Sequence, residues 1–312
     1  MKKLILLLLI LLGTKAVFAQ DSTQNQGKVP QGIVFLAKEP GSDVTKEYFY
    51  DVNFKQIILV NDVLPGYKTM ELRCGKETFF LIGRTESTES GLFTAAVVNG
   101  ESNETTVVKN IRQLSLSPDG TVAAIVRNQD IILLELKSKI TTYIGNYEEG
   151  SVFTWSQSSR YFSFTTAKET DTWDLADYSY HVDESPIFYQ WSVDDQFVSE
   201  QVDKTVTVRQ TGHLYQFPLA KNVLKSVWSN SGNSIAYLVS EDTQSVILKS
   251  NAITGNRSRV FSSNTTIDNF YWFQRGINKL VIQREDGLFL LSSQGELEYV
   301  GEYTDITNVC QF

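Results

Sequence analysis

The amino-acid sequence predicts an all-β fold: a seven-bladed β-propeller in which the C-terminal strand completes the blade started by the N-terminal strands. Three observations support this prediction. Short β-rich runs alternate with tight turns, the pattern repeats about every 40 residues, and tryptophans recur in phase with the repeat. Helix-type periodicity is nearly absent along the chain.

The first 19 residues have the composition of an export signal. Lys2 and Lys3 precede the apolar run LILLLLILLG, and small residues lead up to Ala19. A membrane-spanning helix is the alternative, but the run is short and Lys15 follows it. Residues 20–31 are polar and are predicted to form a disordered tail, so the propeller domain is predicted to span residues 32–312.

The repeating unit is a strand, a tight turn, a second strand, a short break and a third strand. In residues 113–137 the turn is SPDG, where Pro118 presets φ and Gly120 closes the turn. A ribbon of this size cannot bury its own faces, so it must belong to a larger array. Related runs are MELRCGKETFFLIG, FTWSQSSRYFSFTT, YQWSVDDQFVSEQV, SVWSNSGNSIAYLV and FYWFQRGINKLVIQ.

A large apolar residue precedes the turn in every unit, and four of the five tryptophans in the chain occupy this position. Unrelated strands of a β-sandwich, the alternative, would not place tryptophans in phase. We expect each indole to pack against a neighbouring blade, where it buries a large apolar area. The repeat positions, separated by 44, 39, 36, 37 and 44 residues, are Leu72, Leu116, Trp155, Trp191, Trp228 and Trp272.

Six complete blades are predicted from Met70 onward, and both chain ends supply the seventh. Residues 32–62 form three strands that have no inner strand before them. The C-terminal segment TDITNVCQF has the inner-strand pattern, and Phe312 lies 40 residues after Trp272, in phase with the repeat. Pairing of the last strand with the first would leave no open sheet edge at this seam.

The sequence LSPDG followed by an apolar strand, together with the repeated WS, resembles the TolB-like and WD-repeat-like β-propeller superfamily. The resemblance covers nearly all of the chain after the export signal, and it implies the fold rather than a function. TolB proteins carry an additional N-terminal α/β domain, and prolyl oligopeptidases carry a C-terminal hydrolase domain. We expect neither domain here, so neither activity is implied.

The two cysteines are predicted to be buried thiols. Cys74 lies two residues after its repeat position, and Cys310 lies two residues before Phe312. This offset of four residues corresponds to roughly 13 Å along a strand, whereas a disulfide needs Cα atoms within about 7 Å. A bridge that locks the ring is the alternative if the strand register differs.

The charge balance excludes nucleic acid and anionic membranes as expected partners. The chain has 28 basic and 36 acidic residues. Removal of Lys2, Lys3 and Lys15 with the signal leaves 25 basic residues and a net charge of −11. The electrostatic field of such a negative protein repels phosphate backbones. We expect a monomer in the periplasm or outside the cell, without membrane insertion.

An acidic, aromatic stretch at residues 168–186 is the candidate partner-binding site. Aromatic and charged side chains of this kind are common where proteins dock. The alternative is a pair of ordinary outer strands whose carboxylates face solvent. The candidate residues are Trp173, Asp174, Asp177, Tyr178, Tyr180 and His181.

No catalytic, cofactor-binding or metal-binding residue is predicted. The chain lacks a glycine-rich phosphate loop and a nucleophile-elbow serine, and the inner-strand starts offer carboxylates only at Glu149 and Asp268. The predicted function is therefore a non-catalytic scaffold for a protein or peptide. The alternative is a lactonase-like or lyase-like enzyme with a metal or carboxylate site on the central channel. Sequons occur at Asn103, Asn256 and Asn264.

Overall fold

The structure is a computed structural model of the chain. The residues described below all belong to one compact unit, residues 32–312. They are 32–61, 67, 69–74, 78–86, 91–100, 102–212, 216–229, 231–272, 280–292 and 295–311. Within these ranges every regular element is a β-strand, and no helix could cross a membrane.

Seven four-stranded antiparallel sheets form the blades of a β-propeller, which confirms the predicted fold class. Six blades are continuous in sequence, and in each of them the first strand is the innermost. Blade 2 contains β4 (Thr69–Cys74), β5 (Phe79–Glu86), β6 (Phe93–Asn99) and β7 (Thr105–Ile111). Blade 3 contains β8 (Gln113–Leu116), β9 (Val122–Arg127), β10 (Asp130–Glu135) and β11 (Thr141–Asn146). Blade 4 contains β12 (Val152–Trp155), β13 (Tyr161–Thr165), β14 (Thr170–Asp174) and β15 (Ser179–Asp183).

The remaining continuous blades have the same strand order. Blade 5 contains β16 (Phe188–Trp191), β17 (Phe197–Val202), β18 (Thr205–Gln210) and β19 (Gln216–Ala220). Blade 6 contains β20 (Val223–Trp228), β21 (Ser234–Glu241), β22 (Gln244–Asn251) and β23 (Arg257–Ser263). Blade 7 contains β24 (Ile267–Trp272), β25 (Leu280–Arg284), β26 (Gly287–Leu291) and β27 (Leu297–Gly301).

Blade 1 is built from both chain ends, as predicted. It contains β1 (Gly32–Lys38), β2 (Thr45–Asp51), β3 (Gln56–Asn61) and the innermost strand β28 (Thr304–Gln311). β28 pairs antiparallel with β1, so that Ile33 is opposite Gln311 and Val34 is opposite Cys310. Phe312, the predicted repeat position of this blade, lies outside the described residues.

The repeat positions lie where an inner strand meets the preceding blade. Leu116 and the four tryptophans end their inner strands, and Leu72 lies two residues before the end of β4. Trp155, for example, packs in one buried cluster with Ile131 and Leu133 of blade 3. Trp228 packs in the same way on blade 5, and Trp272 packs on blade 6. Each large ring thus fills the wedge-shaped space between two blades.

Hydrogen bonds from three of the indoles tie blades 4, 6 and 7 to the blades that precede them. Trp155 Nε1 donates to Ser115 Oγ at 3.1 Å. Trp228 Nε1 donates to the carbonyl oxygen of Gln190 at 2.9 Å, and Trp272 Nε1 donates to that of Val227 at 3.0 Å. A buried indole N–H needs such an acceptor, which phenylalanine or leucine would not require.

The serine after the repeat position organises the turn that follows. In blade 3 the fully buried Ser117 accepts the backbone N–H of Val122 at 3.0 Å and donates to Asp119 at 2.6 Å. In blade 5 Ser192 makes the same pair of bonds, with Phe197 and Asp194. The serine hydroxyl thus accepts the backbone N–H of the first residue after the turn. The need for this acceptor explains why the residue pairs LS and WS recur in the sequence.

Cys74 and Cys310 form a disulfide, with Cα atoms 5.1 Å apart, so the prediction of two buried thiols is wrong. That prediction assumed that neighbouring inner strands lie level. β4 and β28 belong to different sheets, so no backbone hydrogen bonds fix their relative height. β28 also carries register irregularities next to Leu36, which shift the strand relative to the repeat. The alternative of a bridge that locks the ring is the observed one.

Candidate functional site

The residues of the predicted partner-binding site lie on the outer two strands of blade 4. Trp173 on β14 is opposite Tyr180 on β15, and their rings stack with centroids 4.9 Å apart. His181 is opposite Thr172, on the other face of the same two strands, and Asp174 shares that face. Asp177 and Tyr178 lie in the turn between β14 and β15. The structure therefore distributes the candidate residues over two faces and one turn.

The outer strand of blade 4 is open to solvent along most of its length. Tyr180 is 64% exposed and Tyr178 is 48% exposed, and the His181 side chain is 73% exposed. Trp173 is only partly buried, and its Nε1 has no hydrogen-bond partner among the described residues. This outer edge thus presents aromatic rings whose burial would be favourable for a docking partner.

Hydrogen bonds hold two carboxylates of this edge, those of Asp174 and Asp177, in their charged form. Arg160 binds Asp174 through both Nε and Nη2, at 2.9 and 2.6 Å, and this hydrogen bonding holds the pKa of Asp174 below its ordinary value. Hydrogen bonds from Ser179 lower the pKa of Asp177. Both carboxylates are therefore charged at neutral pH. Asp177 lacks an ion pair within the described part of the chain.

A second candidate site is a cavity of about 290 Å³ on the propeller axis. It is formed by the inner strands and the turns that follow them, and the tryptophans of blades 4 to 7 contribute to its wall. The polar side chains of the lining include Arg73, Thr154, Gln157, Gln190, Lys225, Ser226 and Tyr271.

Two cationic side chains enter this cavity from opposite parts of the ring. Burial lowers the pKa of Lys225 to about 8, and burial also lowers the pKa of Arg73. The Nζ atom of Lys225 contacts the amide oxygen of Asn269 and lies 4.4 Å from the centroid of the Tyr271 ring. Asn269 Nδ2 in turn donates to the Tyr271 hydroxyl at 2.7 Å, and burial raises the pKa of Tyr271 to about 12.

Sequence reasoning missed this site because it searched the inner-strand starts for carboxylates rather than for cations. Glu149 and Asp268, the two acids found in that way, are exposed and do not line the cavity. The described lining contains no carboxylate. Among the described residues, no group of three or more His, Cys, Asp or Glu side chains is placed to hold a metal ion. The observable signal was Lys225 itself, a lone cation among the polar and apolar residues of an inner strand.

No protein-family model and no curated protein sequence matches the chain. Solved structures do match it. Oligogalacturonate lyase from Vibrio parahaemolyticus shares 11% identity and a TM-score of 0.57, over 90% of this chain and 87% of that one. The periplasmic gluconolactonase PpgL of Pseudomonas aeruginosa shares 12% identity and a TM-score of 0.55, over 91% and 99%.

TolB from Acinetobacter baumannii is also similar, with 12% identity and a TM-score of 0.51, over 94% of this chain and 69% of that one. This match confirms the resemblance to TolB-like propellers. At such low sequence identity, these structural similarities establish the fold. Any activity must be argued from the residues of this chain.

Proposed function

We propose that the chain is an exported, non-catalytic β-propeller that acts as a protein-interaction scaffold, and that its partner docks on the outer edge of blade 4. The observation that carries this proposal is the exposed Tyr180 ring, held in place by its stack on Trp173. A rigid aromatic side chain gives up little conformational entropy on binding and buries a large area, as interface anchors do.

The partner that best fits this edge is an extended polypeptide segment with basic side chains. β15 pairs only with β14 in its sheet, so the backbone groups along its other side are open to an added strand. Asp177 and the excess of acidic residues in the whole chain favour lysine or arginine in such a segment. Tyr178 and Tyr180 would pack against the side chains that alternate with them.

Two independent observations support export. The N-terminal segment has the composition of a signal, and the cysteines form a disulfide, a bond that persists in oxidising compartments. The similarity to a periplasmic gluconolactonase is compatible with this placement.

Site-specific photo-cross-linking in the source organism tests the scaffold proposal. A photo-reactive phenylalanine analogue is placed at Tyr180, and the matched control places it at Tyr143, which is 57% exposed on the outer strand of blade 3. We expect a defined cross-linked protein from position 180 and none from position 143. Equal cross-linking at both positions, or at neither, would contradict the proposal.

An enzyme with its site on the propeller axis is the second candidate function. The axial cavity and the similarity in fold to a lyase and a gluconolactonase favour it. The test is an assay of the purified protein with lactones and with oligogalacturonate. Turnover that disappears in a Lys225→Met variant would establish catalysis on the axis, and would replace the scaffold as the main function.

A further inference from the structure

The axial cavity holds two cations, Arg73 and Lys225, for which the described residues supply no ion pair, although the charge of Glu71 offsets part of the cost of burying Arg73. The nearest acid to Arg73 in sequence, Glu71, is paired with Arg84 at 2.6 Å. Arg73 Nε is shielded from solvent and has no hydrogen-bond partner within the described ranges. Within the described part of the chain, Lys225 contacts neutral groups, an amide oxygen and aromatic faces. A buried charge without a counter-charge is costly, and a bound anion would remove that cost.

Neutral hydrogen-bond donors accompany the two cations. Gln190 lines the cavity, and its amide oxygen accepts the Ser226 hydroxyl at 3.2 Å, which leaves its amide nitrogen as a donor. The Tyr271 hydroxyl accepts from Asn269, so its own hydrogen can be donated elsewhere. Together these groups form a set of donors that suits an anionic oxygen.

The walls of the cavity suit an apolar body attached to that anionic group. Four tryptophans line it, and the indole nitrogens of three of them are already used in hydrogen bonds to neighbouring blades. Their rings therefore offer carbon surface. The volume of about 290 Å³ is the share of about ten water molecules, which suits a small molecule.

We propose that this axial cavity binds a small organic anion, with its carboxylate or phosphate group held by Arg73 and Lys225 and its apolar part packed against the tryptophans. The site is independent of the outer edge of blade 4, since its lining comes from inner strands and the turns that follow them. The proposal therefore stands or falls separately from the scaffold function.

Binding of three matched probes tests the proposal: benzoate, phenyl phosphate and the neutral benzamide. Tryptophan fluorescence reports binding directly because four indoles line the cavity, and calorimetry gives the affinity. We expect saturable binding of at least one anion and none of benzamide. The ratio of the two anion affinities identifies the preferred group. Equal binding of benzamide and benzoate, or no saturable binding of either anion, would overturn the proposal.

Variants locate the binding. Lys225→Met and Arg73→Gln are expected to weaken anion binding by at least about tenfold, because each leaves the anion with one cation. Lys225→Arg keeps the charge and is expected to keep most of the affinity, which separates loss of charge from loss of folding. Lys204→Met changes an exposed lysine in a turn and is expected to change nothing. Unchanged affinity in a folded Lys225→Met protein would disprove the assignment.

Discussion

At the scale of single residues, the structure shows how buried hydroxyls make the turns of this repeat. Ser192 is fully buried, and its Oγ lies 3.0 Å from the backbone nitrogen of Phe197 and 2.7 Å from Asp194 Oδ1. The hydroxyl is thus both acceptor and donor, a role that alanine cannot take.

Ser192→Ala is expected to lower the free energy of unfolding by about 1–3 kcal/mol, because it leaves the amide of Phe197 buried without this acceptor. Urea unfolding measures the loss. Ser185→Ala, at an exposed serine in the connection between blades 4 and 5, is the control and should change stability by less than about 0.5 kcal/mol. Equal effects of the two changes would show that the turn does not depend on the hydroxyl.

Lys225 gives a pH-dependent prediction. Its pKa is about 8 in the folded protein, against about 10.4 in an unfolded chain. Between these values the unfolded chain binds more protons, so this residue makes stability rise with pH from about 8 to about 10.4. Below pH 8 its full unfavourable contribution is present. The other titratable groups that share its cavity are Tyr271, whose pKa of about 12 keeps it neutral over this range, and Arg73, whose pKa is lowered by burial.

Lys225→Met is therefore expected to stabilise the ligand-free protein at pH 7 by about 1–3 kcal/mol, and to lose most of this advantage near pH 10. Urea unfolding at the two pH values measures the difference, with Lys204→Met as the control. A stability difference that does not change with pH would contradict the assigned shift in the pKa of Lys225.

At the scale of elements, the inner strands and their tryptophans hold neighbouring blades together. The repeat could be predicted from the spacing of the tryptophans in the sequence, because each tryptophan must fill the same space at the end of an inner strand. The position of neighbouring inner strands relative to each other along the propeller axis could not be predicted from the sequence. Side-chain packing alone sets this position, and β28 carries register irregularities. For the same reason Cys74 and Cys310 were predicted as separate thiols.

The candidate sites differ in how far sequence could predict them. The acidic and aromatic composition of residues 168–186 pointed to blade 4, but only the register shows that Trp173 stacks on Tyr180 while His181 lies on the opposite face. The axial cations come from strands more than 150 residues apart in sequence, at Arg73 and Lys225, so no local motif could join them. Such a site becomes visible only when the ring is closed.

Two tryptophan substitutions test the role of the inner strands. Trp228→Phe is expected to cost about 2–4 kcal/mol, because it removes buried area and the hydrogen bond to the Gln190 carbonyl. Trp173→Phe removes an indole of an outer strand whose nitrogen has no described partner, and is expected to cost about 1 kcal/mol or less. Thermal and urea unfolding compare the two. A larger loss at Trp173 would contradict the role given to the repeat position.

At the scale of the whole molecule, the ring is closed twice at one seam. β28 pairs with β1 within blade 1, which joins the two ends of the described propeller without a covalent bond. The disulfide then links β28 to β4 of blade 2, between residues 236 positions apart. Strand pairing fixes β28 on one side, and the disulfide fixes it to the next blade.

Removal of the disulfide should therefore open this seam before the rest of the ring. A cross-link across so long a segment restricts the unfolded chain strongly, with an upper estimate of about 5 kcal/mol. The Cys74→Ala and Cys310→Ala double variant is expected to lose about 2–5 kcal/mol of stability. Hydrogen exchange should become faster in β28 and β1 than in β12 and β13 of blade 4, because the end strands can now separate without unfolding the other blades.

Thiol titration of the unfolded protein under non-reducing conditions provides the control for this prediction, and should find no free thiol in the wild-type chain. Two free thiols, or a double variant that exchanges uniformly in all blades, would show that strand pairing alone holds the seam. An intermediate pattern has a clear physical meaning as well. Faster exchange in β28 but not in β1 would mean that the last strand detaches while the other three strands of blade 1 keep their sheet.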